Sequence, residues 1–214
     1  MRILAISDCV DPRIYSEQIC ERYAHVDLVL SCGDLPYYYL EYIVTMLNVP
    51  LLYVRGNHGR EIEYRSEGEG VSGPGGCIDL HGRVVECKDF LIGGLEGSIC
   101  YRPGAKFQYT ERQMGGCIRR MIPRLYINRV CRGRYIDILI AHSPPRSVHD
   151  SEDPAHRGFE VFGRFISKYQ PKFLIHGHQH LYDLNAPRVA EVGATKVVNA
   201  YSAYEFEVNV EQSK

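Results

Sequence analysis

The sequence lacks the marks of several large protein classes. No two of its eight cysteines are spaced as Cys-x-x-Cys, which removes the zinc-ribbon pattern. Nothing points to the oxidising compartment that a disulfide framework needs. Cys9 and Cys32 adjoin apolar runs, where a thiol acts as a small hydrophobe. Charge of neither sign is in excess, the formal net charge being -1 over 214 residues. Sustained binding to a nucleic-acid backbone needs many Lys and Arg contacts, so nucleic acid is not the favoured partner. An anionic membrane surface is not favoured either. The N-terminal apolar run gives way to Asp8 after a few residues, too soon for a signal peptide or a membrane span, so the expected location is cytoplasmic. Gly73-Pro-Gly-Gly76 is not followed by Gly-Lys-Ser/Thr, which excludes a P-loop. Ser143 beside His142 lacks the Gly-x-Ser-x-Gly elbow of a serine hydrolase.

What is present suits one globular domain spanning 1–214. Hydrophobic residues make up 45% and charged residues 24%, ordinary values for such a chain. Apolar runs at Arg2 to Ser7, Val26 to Ser31 and Pro50 to Val54 alternate with helical patterns, one near Ser16 to Tyr23 capped by Ser16, one from Tyr38 to Leu47. Strands alternating with helices imply parallel βαβ units. Residues 59–76 read as a long loop. Cys77 to Leu80 and Val84 to Cys87 read as a hairpin, followed by a strand at Phe90 to Leu95. Thr110 with Gln113 forms a capping-box signature. Met114, Ile118, Met121 and Leu125 then follow at helical spacing, with Pro123 expected to kink or end the helix. Arg112, Arg119, Arg120 and Arg124 read as its solvated face. Tyr135 to Ala141 is a further strand, Phe159 to Tyr169 a helix, Lys172 to Ile175 a strand. Val189 to Val210 holds strand-like runs broken at Gly193 and Asn199.

The candidate ligands fall at the ends of these runs. Asp8, Asp34, Asn57, His142 and the pair His178/His180 each follow a separate apolar stretch. In open α/β sheets ligands bind beyond the carboxyl ends of strands. Two carboxylates, an amide and three imidazoles on one rim suit a pair of Mn, Zn or Fe ions.

In this order, Asp8, Gly33-Asp34, Gly56-Asn57-His58, His142 and Gly177-His178-Gln179-His180 resemble the calcineurin-like metallophosphoesterase superfamily. The resemblance spans most of the chain. It implies an α/β fold of four αββα layers, with two mixed β-sheets face to face and helices outside. It also implies a phosphomonoesterase or phosphodiesterase acting on a small phosphorylated substrate, with a metal-bound hydroxide as nucleophile at a dinuclear site. Asp34 would bridge two divalent or mixed-valence ions, Asp8 and His180 would hold the first, and Asn57, His142 and His178 the second. His58 would be the catalytic non-ligand histidine, protonating the leaving group or steadying the transition state.

Three features depart from that pattern. Val10 stands where the superfamily usually has a histidine ligand. Gly33-Asp34-Leu35-Pro36-Tyr37 partly resembles the purple acid phosphatases, in which a tyrosine at the place of Tyr37 binds the first metal. A water, Tyr37 or Asp11 remain as substitutes. Gly59 stands where an acid is common, with Glu61 and Glu63 as replacements. The chain is also short for an elaborate substrate cap. His149, Asp150, Asp153 and His156 fall in a polar loop that reads as solvated unless it reaches over the site. The alternative function is a non-catalytic binding or scaffold module of the same fold, favoured by Val10 and opposed by His58.

Overall fold

A computed structural model describes residues 1–64, 68–183 and 186–208. In chain order the elements are β1 (Arg2–Ser7), α1 (Ile19–Arg22), β2 (Leu28–Ser31), α2 (Tyr37–Leu47), β3 (Leu51–Tyr53), β4 (Glu63–Tyr64), β5 (Gly70–Val71), β6 (Ile78–Asp79), β7 (Arg83–Cys87) and β8 (Phe90–Leu95). They continue with β9 (Ser98–Ile99), β10 (Gln108–Tyr109), α3 (Glu111–Arg132), β11 (Ile138–Ala141), α4 (Glu160–Tyr169), β12 (Phe173–His176), β13 (Val189–Val192), β14 (Thr195–Asn199) and β15 (Ser202–Glu207).

Two mixed sheets form the centre. One has the order β15-β1-β2-β3-β6, the other β13-β14-β12-β11-β8-β7. Within the first, β1, β2, β3 and β6 are parallel and β15 pairs antiparallel to β1. Within the second, β8, β11, β12 and β14 are parallel, with β7 and β13 antiparallel at the edges.

The alternation of side chains along each strand assigns the layers. In β1, Ile3 and Ala5 face the other sheet and pack with Phe90, Ile92, Ile138, Ile140 and Ile175. Leu4 and Ile6 face the opposite way, onto Ile19 of α1 and Tyr39, Leu40 and Ile43 of α2. On the far side, Leu139 and Leu174 pack against Met114, Ile118, Met121 and Leu125 of α3 and Phe162 and Phe165 of α4. The order is therefore helices, sheet, sheet, helices. Strands buried on both faces read as continuous apolar runs, which is why they were legible.

Several local expectations are corrected. Ser16 does not cap α1: Gln18 is the N-cap without a side-chain bond, and the Ser16 hydroxyl donates to the Arg13 carbonyl at 3.0 Å. The Thr110 capping box is present, but α3 runs through Pro123 to Arg132. Pro123 is exposed, and the helix on both sides of it is anchored by buried Ile118, Met121 and Leu125. Cys77 to Cys87 is not a hairpin, because β6 joins β3 in the first sheet while β7 lies in the second. The true hairpin is β7–β8, whose turn residues Lys88 and Asp89 both have positive φ, 48° and 69°, as a type I′ turn requires. The stretch 59–76 holds the short pair β4–β5, and its residues 65–67 lie outside the described set, as do 209 and 210 of the tail. All eight cysteines are free thiols. Among the described residues no helix is long and apolar enough to cross a membrane.

Candidate metal centre

Each candidate residue sits just past a strand end. Asp8 follows β1, Asp34 follows β2, Asn57 follows β3, His142 follows β11, and His178 and His180 follow β12. Parallel strands carry these ends to one rim of the two sheets. Three of the residues, Asp8, Asp34 and His142, offer ligand atoms that all lie within 4.8 Å of one another.

The backbone is bent to achieve this. Asp8, Asp34 and His178 have φ of 68°, 55° and 66°, a left-handed conformation that costs non-glycine residues roughly 1–3 kcal/mol each and gathers at functional sites. Two glycines let the turns pack closely. A Cβ on Gly56 would strike the Asp34 carboxylate, and one on Gly177 would strike Ser7 and lie 2.7 Å from Asp8 Oδ2. Only glycine fits where a backbone approaches a ligand side chain so tightly.

His142 is fully buried at the centre. Its Nδ1 donates to the Cys32 carbonyl at 2.8 Å, which aims Nε2 at Asn57 Oδ1 (2.8 Å) and Asp34 Oδ2 (3.3 Å). His178 is arranged in the same manner. Its Nε2 donates to the Ala155 carbonyl at 2.7 Å and its ring lies 4.8 Å from that of His142, so Nδ1 is left as the donor atom. A ring N–H tied to a backbone carbonyl is the usual support of a metal-binding histidine. The His178 amide also donates to both Asp8 oxygens at 3.0 Å. His180, half exposed with its ring tilted against that of Tyr201, brings Nε2 to 3.9 Å from Asp8 Oδ1.

The electrostatics agree with a cation site. Burial works against a charge on His142, yet Asp34, Asp8 and the Cys32 carbonyl raise its pKa to about 9. Burial also pushes the Asp34 carboxyl up, but the His142 charge and hydrogen bonds from His142 and His58 outweigh it and bring the pKa to about 2. Burial raises Asp8. Burial, followed by the nearby His142 charge, lowers His178 to about 3, so that imidazole is neutral and has a lone pair to give. The two carboxylates that favour a positive charge on His142 would also favour a metal cation in the same place. Two carboxylates, an amide oxygen and three imidazoles fit Mn, Zn or Fe.

His58 is exposed, and its own amide donates to Asp34 Oδ1 at 2.9 Å. Val10 packs with the core between the first sheet and its helices. Neither side-chain substitute for its missing imidazole is free. The Tyr37 hydroxyl donates to the Arg60 carbonyl (2.8 Å) and accepts from Arg55 Nε (3.2 Å). Asp11 is held by Arg13 and by the Ser202 hydroxyl, the latter at 2.9 Å. Glu61 pairs with Lys106, and Glu63 accepts from the Tyr37 amide at 3.0 Å, so both candidate replacements for the acid missing at Gly59 are engaged elsewhere.

The loop after His142 is more than solvated surface. His149 Nδ1 lies 2.9 Å from Nε2 of buried His176, and the His156 ring lies 5.1 Å from that of His178. Asp150 anchors the loop through Arg146 and the Gly158 amide, and Asp153 pairs with His156. Sequence reasoning missed Tyr101, whose hydroxyl accepts from Asn57 Nδ2 at 3.1 Å and so turns the amide oxygen toward His142. No spacing signal marks it.

The family model described as calcineurin-like phosphoesterase matches residues 1–182. No curated protein sequence matches the chain. Among solved structures, TT1561 of Thermus thermophilus superposes with a TM-score of 0.63 at 14% identity, over 94% of this chain and 89% of its own. GAP50, the anchor in the inner membrane complex of Plasmodium, gives 0.52 at 12% identity, over 93% and 70%. A further solved structure gives 0.64 at 16% identity, over 94% and 90%. These likenesses are of fold.

Proposed function

The chain belongs to the calcineurin-like phosphoesterase family, and from that premise we propose that it is a metal-dependent hydrolase of phosphoric esters. The observation that carries this is the convergence of Asp8, Asp34 and His142, with His142 and His178 each aimed by a backbone carbonyl. Asn57, His142 and His178 would hold one ion and Asp8 and His180 the other, with Asp34 between them and a water completing the site beside Val10. Bound there, the two cations supply Lewis acidity toward phosphate oxygens and an activated water.

The chain's own groups do the rest. Asp34 stays ionised at neutral pH because His142 and the His58 amide stabilise its charge. Exposed His58, fixed through its amide to Asp34, would meet the leaving oxygen of a substrate bound there. In hydrolysis a water oxygen would bond to phosphorus as the ester P–O bond breaks; the leaving oxygen would take a proton from His58, and the water would release one proton to solvent, from which His58 is reprotonated. The second reading, a scaffold of the same fold that does not turn over substrate, draws on the family resemblance and on Val10. Asp34→Asn tests the assignment. It is expected to lose most bound Mn²⁺ by elemental analysis and nearly all turnover of an aryl phosphate. Full occupancy with unchanged turnover would reject the site, and a metal-loaded parent inert to every mono- and diester would favour the scaffold.

A further inference from the structure

Beside the metal centre a groove of about 340 Å³ opens onto Asp34 and His58. Leu35, Pro36 and Tyr38 give it an apolar lining, and Arg60 and Glu63 give it one cation and one carboxylate. Tyr38 is 53% exposed, so part of its ring is open to a planar partner. Its ring is set edge-on to Tyr15 at 5.7 Å. The groove's frame is held in place. The Arg60 carbonyl accepts from the buried Tyr37 hydroxyl, and the Glu63 carboxylate accepts from the Tyr37 amide. One residue of α2 thus fixes two points of the wall.

We propose that this groove seats the alcohol half of the ester, and that this alcohol is compact and carries a planar ring. The inference rests on the phosphoesterase reading above. His58 lines the groove and is the group placed to protonate the leaving oxygen, so what lies beyond that oxygen must continue into the same space. The volume is at the small end of small-molecule sites, which run from about 300 to 1,000 Å³. It admits one or two rings. A flat ring uses the Tyr38 face, and polar substituents on it meet Arg60 and Glu63.

The test is calorimetric binding of phenylphosphonate and methylphosphonate to the Mn²⁺-loaded protein. Both carry the same anionic head, and only the first reaches the groove. Phenylphosphonate is expected to bind about tenfold more tightly, the size of an aromatic contact with its apolar burial. In Tyr38→Ala, whose site is at the surface, the ratio should fall to near one. Equal binding of the two phosphonates in the parent, or a phenyl advantage that survives Tyr38→Ala, overturns the groove assignment and leaves the phosphoesterase reading standing. Failure of both phosphonates to bind removes both readings.

Discussion

Tyr101→Phe isolates the support of one ligand without touching any ligand. In the parent, Asn57 is buried and its amide is held at both ends, Oδ1 2.8 Å from His142 Nε2 and Nδ2 3.1 Å from the Tyr101 hydroxyl. The hydroxyl accepts from the NH₂ group, and that is what tells the oxygen end from the nitrogen end. Phenylalanine keeps the ring and removes the acceptor. A buried NH₂ without a partner costs about 1–3 kcal/mol. The amide can avoid that cost only by rotating, which would present NH₂ to the cation. Either way the ion held by Asn57, His142 and His178 should bind roughly 10–100-fold more weakly, the range for lost outer-shell support, or about 1.4–2.7 kcal/mol. The ion held by Asp8 and His180 should change little. Titration of the chelator-stripped protein with Mn²⁺, followed by calorimetry, resolves the two sites. If both affinities stay within about twofold of the parent, the amide is not oriented by Tyr101 and the argument fails.

Three further outcomes are expected. His58→Ala should keep its metal content while turnover falls roughly 10²–10⁴-fold, as for a lost proton donor; stoichiometric loss of metal would show that His58 is a ligand instead. Pro123→Ala restores a backbone donor inside a 22-residue helix at an exposed position, so thermal unfolding should shift upward, and a downward shift would mean that the proline ring packs usefully. Asp11 gives a pH dependence. Burial alone would raise its pKa, but hydrogen bonds from Arg13 and Ser202 outweigh it and the net direction is down from 3.8. The folded protein therefore binds this proton more weakly than the unfolded chain. The stability from the pair is complete above 3.8 and is lost as pH falls through the lower folded value. The deficit of Asp11→Asn in urea unfolding should be full at neutral pH and shrink in acid, and a deficit that grows in acid would contradict the sign.

The sequence by itself determined the features that rest on local physics. An apolar run ending in Asp or His marks a strand delivering a polar group past the sheet, and it does so because a strand buried on both faces can hold nothing polar before its end. That placed Asp8, Asp34, Asn57, His142, His178 and His180 on one rim. The capping box at Thr110 was legible because its partners are three residues apart. The type I′ turn at Lys88-Asp89 was not read, since neither residue is glycine and the first is not a typical turn former. Pro123 does not end α3 because the proline costs one hydrogen bond, whereas the packing of α3 onto the second sheet is summed over the whole helix.

Only the tertiary structure decided what surrounds the ligands. The carbonyl that aims His142 is 110 residues away in the chain, the one that aims His178 is 23 away, and the hydroxyl that turns Asn57 is 44 away. Two of these three partners are backbone atoms, which every residue carries, so no side-chain pattern announces them. Tyr37 and Asp11 were open as substitutes at Val10 for the same reason. Their chemistry suits a cation, but Arg55 and the Arg60 carbonyl claim the one, and Arg13 and Ser202 the other. Residue type sets what a side chain can bind, while the packing of distant segments sets which of its possible partners comes within hydrogen-bonding reach.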